Sequence, residues 1–196
     1  GILKNVAMEN VVDLPKKAFE SAIDKLKEAG ASISEIFVSS VDEAMDLTGL
    51  LYSPEAYATW KHKIEKTPDL MFAKILERFR SGANVLASDF ICAWDKLMDL
   101  RQQYHSAVEM YDAVLIPTSP IIPPELDRLM NDGDFYNSQN LLALRNTRIG
   151  NLMGGCSITL PTDIPSCGLL IMGMPSQEER LLRLAQACEL VLSRNQ

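Results

Sequence analysis

The residue types that catalysis uses are present in this chain, but they do not stand at the spacings that catalysis needs. The sequence has two histidines, His62 and His105, which fall on separate predicted helices. A zinc site needs several ligands that converge on one point, and a serine triad needs a histidine with serine and carboxylate partners. Neither arrangement is indicated. Both histidines are predicted to lie on helix surfaces or to hydrogen-bond nearby carbonyl groups.

Cys156 is the thiol in the most suggestive position, because it follows Gly154-Gly155 and leads into a predicted strand. A reactive thiolate needs a nearby base or the positive end of a helix, whereas Cys156 follows the negative end. A packing role is therefore preferred, and an independent enzyme that uses Cys156 is the least favoured hypothesis. The sequence also lacks glycine-rich phosphate loops, so nucleotide binding is not indicated. No metal and no other cofactor is predicted.

The composition is that of an ordinary soluble globular protein. Of 196 residues, 47% are hydrophobic and 23% are charged, and the net charge of −7 comes without a cluster of basic residues. Nucleic acids and anionic membranes bind basic surfaces, so neither is a predicted partner. Lys4, Asn5 and Glu9 interrupt the apolar core that a signal peptide would need. The sequence predicts a cytoplasmic protein with a single domain over residues 1–196 and reduced cysteines.

The first elements that would position a site alternate between strand and helix. Residues 2–8 are predicted as a strand, and Asp13 is expected to cap a helix with Pro15 in its first turn. An apolar stripe at helical spacing runs along this helix: Leu14, Ala18, Ala22, Ile23, Leu26 and Ala29. A second strand is predicted over residues 33–38. A strand, a helix and a strand with short connections predict parallel pairing and hence an α/β fold.

The middle of the chain is predicted to be helical. Ser40 and Glu43 have the spacing of a capping box, and Pro54 is expected to interrupt the helix that they begin. Ser88 is expected to cap a long helix that lies along the sheet. Its apolar residues repeat at three and four positions: Phe90, Ile91, Trp94, Leu97, Met98, Tyr104 and Val108.

A short apolar run at residues 113–116 is typical of a strand that is buried on both faces, and Pro117 ends it. Open α/β sheets bind ligands at the carboxyl ends of their strands. The loop of residues 117–124 is therefore either a wall of the site or a stiff connector, and the sequence leaves both alternatives open.

The last third of the chain is predicted to contain a helix over residues 138–153, then short strands over residues 157–161 and 167–173. Ser176 and Glu179 form a second capping box, for a final helix. That helix is expected to bury Leu181, Leu184, Ala185, Cys188 and Val191. The complete pattern predicts an α/β fold with a mixed, partly parallel sheet and flanking helices.

Three blocks of this sequence resemble the closing segment of amidase signature enzymes. Residues 146–161, NTRIGNLMGGCSITLP, followed by residues 168–170 are the strongest match. Residues 111–120, YDAVLIPTSP, are similar to the family's aspartate, apolar strand and Pro-Thr-x-Pro loop. Residues 26–31 match its Leu-x-x-x-Gly-Ala turn. The resemblance covers essentially the whole chain, but only the C-terminal portion of the family's fold.

The resemblance implies a role in carboxamide hydrolysis. Members of the family use a serine nucleophile, a second serine in a cis peptide arrangement and a lysine base, and this sequence contains neither of the segments that carry them. The chain is therefore expected to be the C-terminal region of an amidase, inactive alone, with no catalytic residue of its own. Its expected partner is the N-terminal catalytic half or a second copy of itself, which predicts a dimer. A stand-alone noncatalytic binding or assembly module with an amidase-like fold is the alternative.

The resemblance also implies which residues face the substrate. In the family, the helix before the Asn-x-x-Gly segment faces the reacting centre, which corresponds here to Leu144, Thr147, Arg148 and Asn151, with Thr118 nearby. Arg148 is expected either to bind a carboxylate or carbonyl group of a small-molecule amide or to pair with a carboxylate on the helix surface. Leu144 indicates an uncharged or apolar acyl group.

Overall fold

The computed structural model describes residues 1–193, in which five strands form one sheet. The strands are β1 (Ile2–Leu3), β2 (Glu35–Ile36), β3 (Val114–Pro117), β4 (Cys156–Pro161) and β5 (Gly168–Gly173). Their order across the sheet is β2-β1-β3-β5-β4. Strand β1 is parallel to β2 and β3, whereas β5 is antiparallel to β3 and β4. The sheet is mixed and partly parallel, which confirms the predicted fold class.

Helices lie on both sides of this sheet. In the described residues they are α1 (Asp13–Glu28), α2 (Ser39–Asp46), α3 (Thr48–Ile64), α4 (Ala73–Ser81), α5 (Ala87–Val108), α6 (Leu126–Asn131), α7 (Gly133–Ala143), α8 (Arg145–Met153) and α9 (Glu178–Ser193). Short 3-10 turns occur at Val6–Met8, Pro68–Leu70 and Gly82–Asn84. Across residues 1–193, no helix combines the length and the apolar character that crossing a bilayer requires.

Alternate residues of the strands pack into two hydrophobic cores. Leu3, Val114 and Ile116 contact α2, α5 and α8 on one face of the sheet, whereas Ile2 and Leu115 contact α1 and α9 on the other face. Successive side chains of a strand point to opposite faces, so a strand with a core on each side is apolar throughout. All residues of β3 are buried, as its continuous apolar run predicts.

Helix α1 buries the middle of its predicted stripe against the second core. Ala18, Ala22, Ile23 and Leu26 are buried, together with Phe19. The two ends of the predicted stripe are exposed: Leu14, and Ala29, which directly follows the helix.

Helix α5 also follows its predicted period only in part. Its buried residues are Ala93, Leu97, Leu100, Tyr104 and Val108. Ile91 and Met98 were included in the predicted stripe but are 58% and 50% exposed. They lie off the line along which α5 packs against α2, α3 and α8, where Ala93 and Leu100 are buried instead.

The predicted capping box at Ser40 is wrong. Helix α2 begins at Ser39, and the Ser40 Oγ is buried inside the structure without a hydrogen-bond partner. Asn5 holds the start of α2 instead, because its side-chain Oδ1 accepts a hydrogen bond from the Val38 backbone N–H at 2.8 Å. Glu43 pairs with Lys96 of α5 at 2.7 Å. A contact distant in sequence has replaced the local one.

The other predicted caps are displaced by one or two residues. Val12 and Leu86 precede α1 and α5, so Asp13 lies inside its helix and Ser88 does too. Helix α9 begins at Glu178, one residue later than a Ser176 cap requires. Ser176 has a positive φ of 60°, which places it in the turn before the helix.

Two helix boundaries and two strand lengths also differ from the predictions. Helix α3 continues through Pro54, and the chain breaks at Leu47 instead. The helix predicted over residues 138–153 is divided at Leu144 into α7 and α8. Strands β1 and β2 are each two residues long. The 3-10 turn Val6–Met8 follows soon after β1 and limits its length.

A candidate binding cleft beside helix α8

A buried asparagine fixes the first turn of α8. Asn146 is fully buried, and its Nδ2 donates to the backbone carbonyls of Ala7 at 3.0 Å and Pro117 at 2.7 Å. Arg145 is buried beside it and donates to the Asn146 Oδ1 at 3.1 Å and to the Ala7 carbonyl at 3.3 Å. Helix α8 is thereby joined to the carboxyl end of β3 and to the turn after β1.

The last turn of α8 is held by α5. Gly154 ends the helix in the left-handed conformation with φ of 69°, which glycine adopts without the steric cost of a side chain. The Arg101 Nε donates to the Leu152 carbonyl at 2.6 Å, and the His105 Nε2 lies 3.0 Å from the Met153 carbonyl. A cation near the C-terminal carbonyls is also favourable for the helix dipole. Both ends of α8 are fixed, so its outer face has a defined position.

The outer face of α8 forms one side of an open cleft of about 460 Å³, and helices α3, α4 and α7 contribute the other sides. The lining residues are Thr48, Gly49, Tyr52, Ser53, Ala56, Arg78, Phe79, Ser81, Leu141, Leu144, Thr147, Arg148 and Asn151. Two arginines line the cleft, whereas no aspartate or glutamate in the described part of the chain does so. The cleft is mainly apolar with a positive charge at its wall.

The electrostatics of the cleft follow from partial burial. Burial lowers the pKa of Arg148, an effect that Tyr52 opposes and that the like charge of Arg78 increases. Burial also raises the pKa of the Tyr52 phenol, which Arg148 and Arg101 partly offset and Glu55 reinforces. An arginine remains protonated in proteins at neutral pH even when its pKa is lowered. The cleft therefore presents a guanidinium cation beside a neutral phenol.

Residues 1–182 match the family model described as Amidase. The chain belongs to the amidase family. Among its relatives, the 2-amino-5-chloromuconic acid deaminase of Comamonas testosteroni is 28% identical over 89% of this chain and 39% of its own length. An amidase of Pseudomonas putida is 27% identical over 96% of this chain and 42% of its own length.

The fold itself is shared with solved structures. The structure of 6-aminohexanoate cyclic dimer hydrolase complexed with substrate superposes with a TM-score of 0.79 and 19% identity, over 98% of this chain and 45% of that chain. This chain spans about two fifths of the length of the two curated relatives. It is a region of an amidase-family protein, and the share is consistent with the C-terminal portion that the sequence motifs predict.

Residues that the amidase resemblance assigns to the substrate come together on α8. Leu144, Thr147, Arg148 and Asn151 all line the cleft, because residues three and four apart share one face of a helix. Thr118 is not among the lining residues. It lies at the end of β3, where its Oγ1 donates to the Thr159 Oγ1 at 3.2 Å. A role of these five residues in substrate binding stays a prediction.

Five polar or charged residues of the amidase cleft were not predicted from the sequence: Thr48, Tyr52, Ser53, Arg78 and Ser81. Tyr52 and Arg78 are the two that affect its electrostatics. Tyr52 lies on α3 and Arg78 on α4, and both reach the cleft from elements far from α8 in the chain. The available signal was a tyrosine and an arginine on predicted helices, which is too common to indicate a site. Only the tertiary structure, which brings α3 and α4 to the same cleft as α8, reveals them.

Cys156 lies in β4 and is not among the residues that line the cleft. Its Sγ donates to the Met174 carbonyl at 3.3 Å, and its side chain packs half-buried against the core beside α9. Within residues 1–193, no group of three or more histidine, cysteine or carboxylate side chains is arranged to hold a metal ion. The cleft is the candidate functional site of this amidase region.

Proposed function

We propose that this chain provides the sheet, the hydrophobic cores and one wall of the substrate pocket of an amidase that hydrolyses the C–N bond of carboxamides. The cleft beside α8 carries the proposal, because the residues that the family resemblance assigns to the substrate line it. Leu144 would contact an apolar part of the substrate, whereas Thr147 and Asn151 would contact polar groups. The single domain over residues 1–196 and a role for Thr118 remain part of the prediction.

The hydroxyl groups of the cleft support a nucleophile from outside this chain. Each serine and threonine hydroxyl of the cleft donates to a carbonyl of its own helix or of the preceding turn, at 2.7 to 3.2 Å: Thr48 to Met45, Ser53 to Gly49, Ser81 to Arg78 and Thr147 to Leu144. A nucleophilic hydroxyl needs a base that removes its proton. In the described residues, the cleft contains no histidine, lysine or carboxylate for this purpose. The bond-breaking groups would therefore come from the remainder of the enzyme.

The reading frame upstream of the Gly1 codon tests this proposal. We expect an in-frame segment rich in serine and glycine, preceded by a strand with a lysine. We also expect the joined polypeptide to hydrolyse simple carboxamides and this chain alone not to do so. Hydrolysis by the purified chain alone would overturn the proposal, and so would a native start codon at Gly1, which would favour the noncatalytic assembly module instead.

The free edge of the sheet suggests where a partner binds. Strand β4 is at one end of the described sheet, and its Ser157, Thr159 and Pro161 side chains are exposed. An edge strand offers unpaired backbone N–H and C=O groups to another strand. We propose that the remainder of the amidase pairs with this edge, or that a second copy of the chain does so in its absence.

The isolated chain is accordingly expected to form a dimer, which light scattering after size exclusion measures. Thr159→Lys is expected to shift the population toward monomer, since a lysine on an edge strand opposes strand pairing. The matched control is Thr59→Lys on the exposed surface of α3, which adds the same charge and should leave the dimer intact. A monodisperse monomer for the unmodified chain contradicts this prediction.

A cytoplasmic location is proposed from the cysteines. Cys92, Cys156, Cys167 and Cys188 are all free thiols. Reduced cysteines are typical of reducing compartments, in which disulfides are rare. Fractionation of cells that express the native gene would test the location.

A further inference from the structure

The positive charge of the cleft is not neutralised by any carboxylate of the described chain. Four arginines outside the cleft form ion pairs with carboxylates: Arg80 with Glu65, Arg128 with Asp132, Arg180 with Asp112 and Arg183 with Glu179. Two more, Arg101 and Arg145, donate to backbone carbonyls. Within residues 1–193, the guanidinium of Arg148 has no hydrogen-bond or ion-pair partner, although it is half-buried in the cleft.

Arg78 lies in the same cleft and is only partly satisfied. With its amide oxygen turned toward α4, Asn140 accepts from both Nη atoms of Arg78, at 2.9 and 3.1 Å. A neutral amide satisfies these donors but does not balance their charge. Arg78 is close enough to Arg148 to lower its pKa. Two like charges therefore share one partly dehydrated surface.

This arrangement costs free energy unless an anion completes it. A charge that is removed from water is stabilised only by a partner of opposite sign or by several hydrogen bonds. The planar guanidinium group matches a carboxylate, since two parallel N–H groups can bind its two oxygens. The remaining walls are apolar, with Phe79, Leu141 and Leu144 in the lining. The cleft fits a ligand with an apolar body and a carboxylate at one end.

We propose that Arg78 and Arg148 bind the carboxylate of the substrate, so that this amidase acts on amides that also carry a carboxylate group. The inference rests on the proposed function and adds a substrate class to it. Arg148 supplies the unsatisfied donors, Arg78 supplies the second charge, and the apolar side chains contact the carbon skeleton between the carboxylate and the amide. The carboxylate thereby sets the orientation of the substrate.

A matched pair of ligands tests this inference on the chain itself. Adipamate has an amide and a carboxylate at its two ends, and hexanamide has a methyl group in place of the carboxylate. Binding of each is measured by chemical-shift titration of the backbone amides of Thr147 and Arg148. Because hydrogen bonds to charged groups are stronger than those between neutral groups, adipamate is expected to bind at least about tenfold more tightly.

Variants show whether the arginines cause this preference. In Arg148→Gln the preference is expected to fall below about twofold, and in Arg78→Gln it should decrease as well, since each removes one cation from the cleft. The matched control is Arg183→Gln on α9, which lies across the sheet and pairs with Glu179. It makes the same change in charge and should keep the full preference. Thermal unfolding by circular dichroism confirms that each variant is folded.

The outcomes separate this inference from the proposed function. Equal binding of adipamate and hexanamide overturns the inference, as does a preference that both arginine variants retain or a lack of adipamate binding. Because the comparison of the two ligands needs no variant, a variant that fails to fold leaves the test intact. Hydrolysis by the joined polypeptide is a separate measurement. Carboxylate-dependent binding without hydrolysis overturns the proposed function alone, and hydrolysis of both amides at equal rates overturns the inference alone.

Discussion

Replacing Gly82 by alanine is expected to lower the free energy of unfolding by about 3 kcal/mol, the upper end of the range for overpacking. Gly82 is buried directly after α4. A Cβ at this position would lie 2.1 Å from the Ser53 carbonyl oxygen and 2.3 Å from its carbon. Both are backbone atoms of α3, so rotation of a side chain cannot relieve the contact. Helices α3 and α4 would have to separate.

Urea unfolding at a fixed protein concentration, followed by far-ultraviolet circular dichroism, measures this loss. Gly49→Ala in α3 is the matched control, because a Cβ there meets no atom within 4 Å. Alanine is favoured over glycine within a helix, so the control is expected to be unchanged or more stable by up to about 1 kcal/mol. Equal stability of Gly82→Ala and the unmodified chain would contradict the close approach of the two helices.

Replacing Asn146 by alanine is expected to destabilise the fold by a similar amount, about 3 kcal/mol, because buried polar groups without partners cost about 1–3 kcal/mol each. The substitution leaves the Ala7 and Pro117 carbonyls without the Nδ2 donor. It also removes the Oδ1 that accepts from Arg145. All the side-chain hydrogen bonds of Asn146 that join α8 to β3 and to the turn after β1 are lost together.

Asn146→Asp separates hydrogen bonding from packing. The side chain keeps nearly the same shape, but two donated hydrogen bonds become contacts between oxygens, so this variant is also expected to be clearly destabilised. Asn137→Ala on the exposed surface of α7 is the control and should change stability by less than about 0.5 kcal/mol. Wild-type stability of both Asn146 variants would show that the two carbonyls do not depend on this side chain.

Elements with a strong local signal were predictable from the sequence. The continuous apolar run of β3 corresponds to burial on both faces of the strand. The apolar stripe of α1 corresponds to burial on one face of the helix. The strand-helix-strand order led correctly to the parallel pairing of β1 and β2. Ser40 shows the limit of such signals, because the contact of Asn5 with Val38 decides the start of α2, and no local pattern contains that contact.

The candidate site likewise contains residues that the sequence predicted and residues that it did not. The α8 residues of the cleft follow from one motif, since a helix places residues three and four apart on one face. Tyr52 and Arg78 belong to other helices, and their distance from α8 in the chain hides their proximity. Division of the predicted helix at Leu144 was also hidden, because the bonds of Asn146 to Ala7 and Pro117 fix where α8 begins.

The parallel pairing of β1 with β3 has a consequence for the order of folding. Ile2 is opposite Leu115 in this pair, whereas β4 and β5 are neighbours in the chain. Closing a long loop costs chain entropy before its contacts form, so distant pairings are slow. We expect the β4–β5 hairpin to assemble on β3 first and the segment with β1, α1 and β2 to dock afterwards. During refolding, amide protons of that segment would then become protected from exchange later than those of β5.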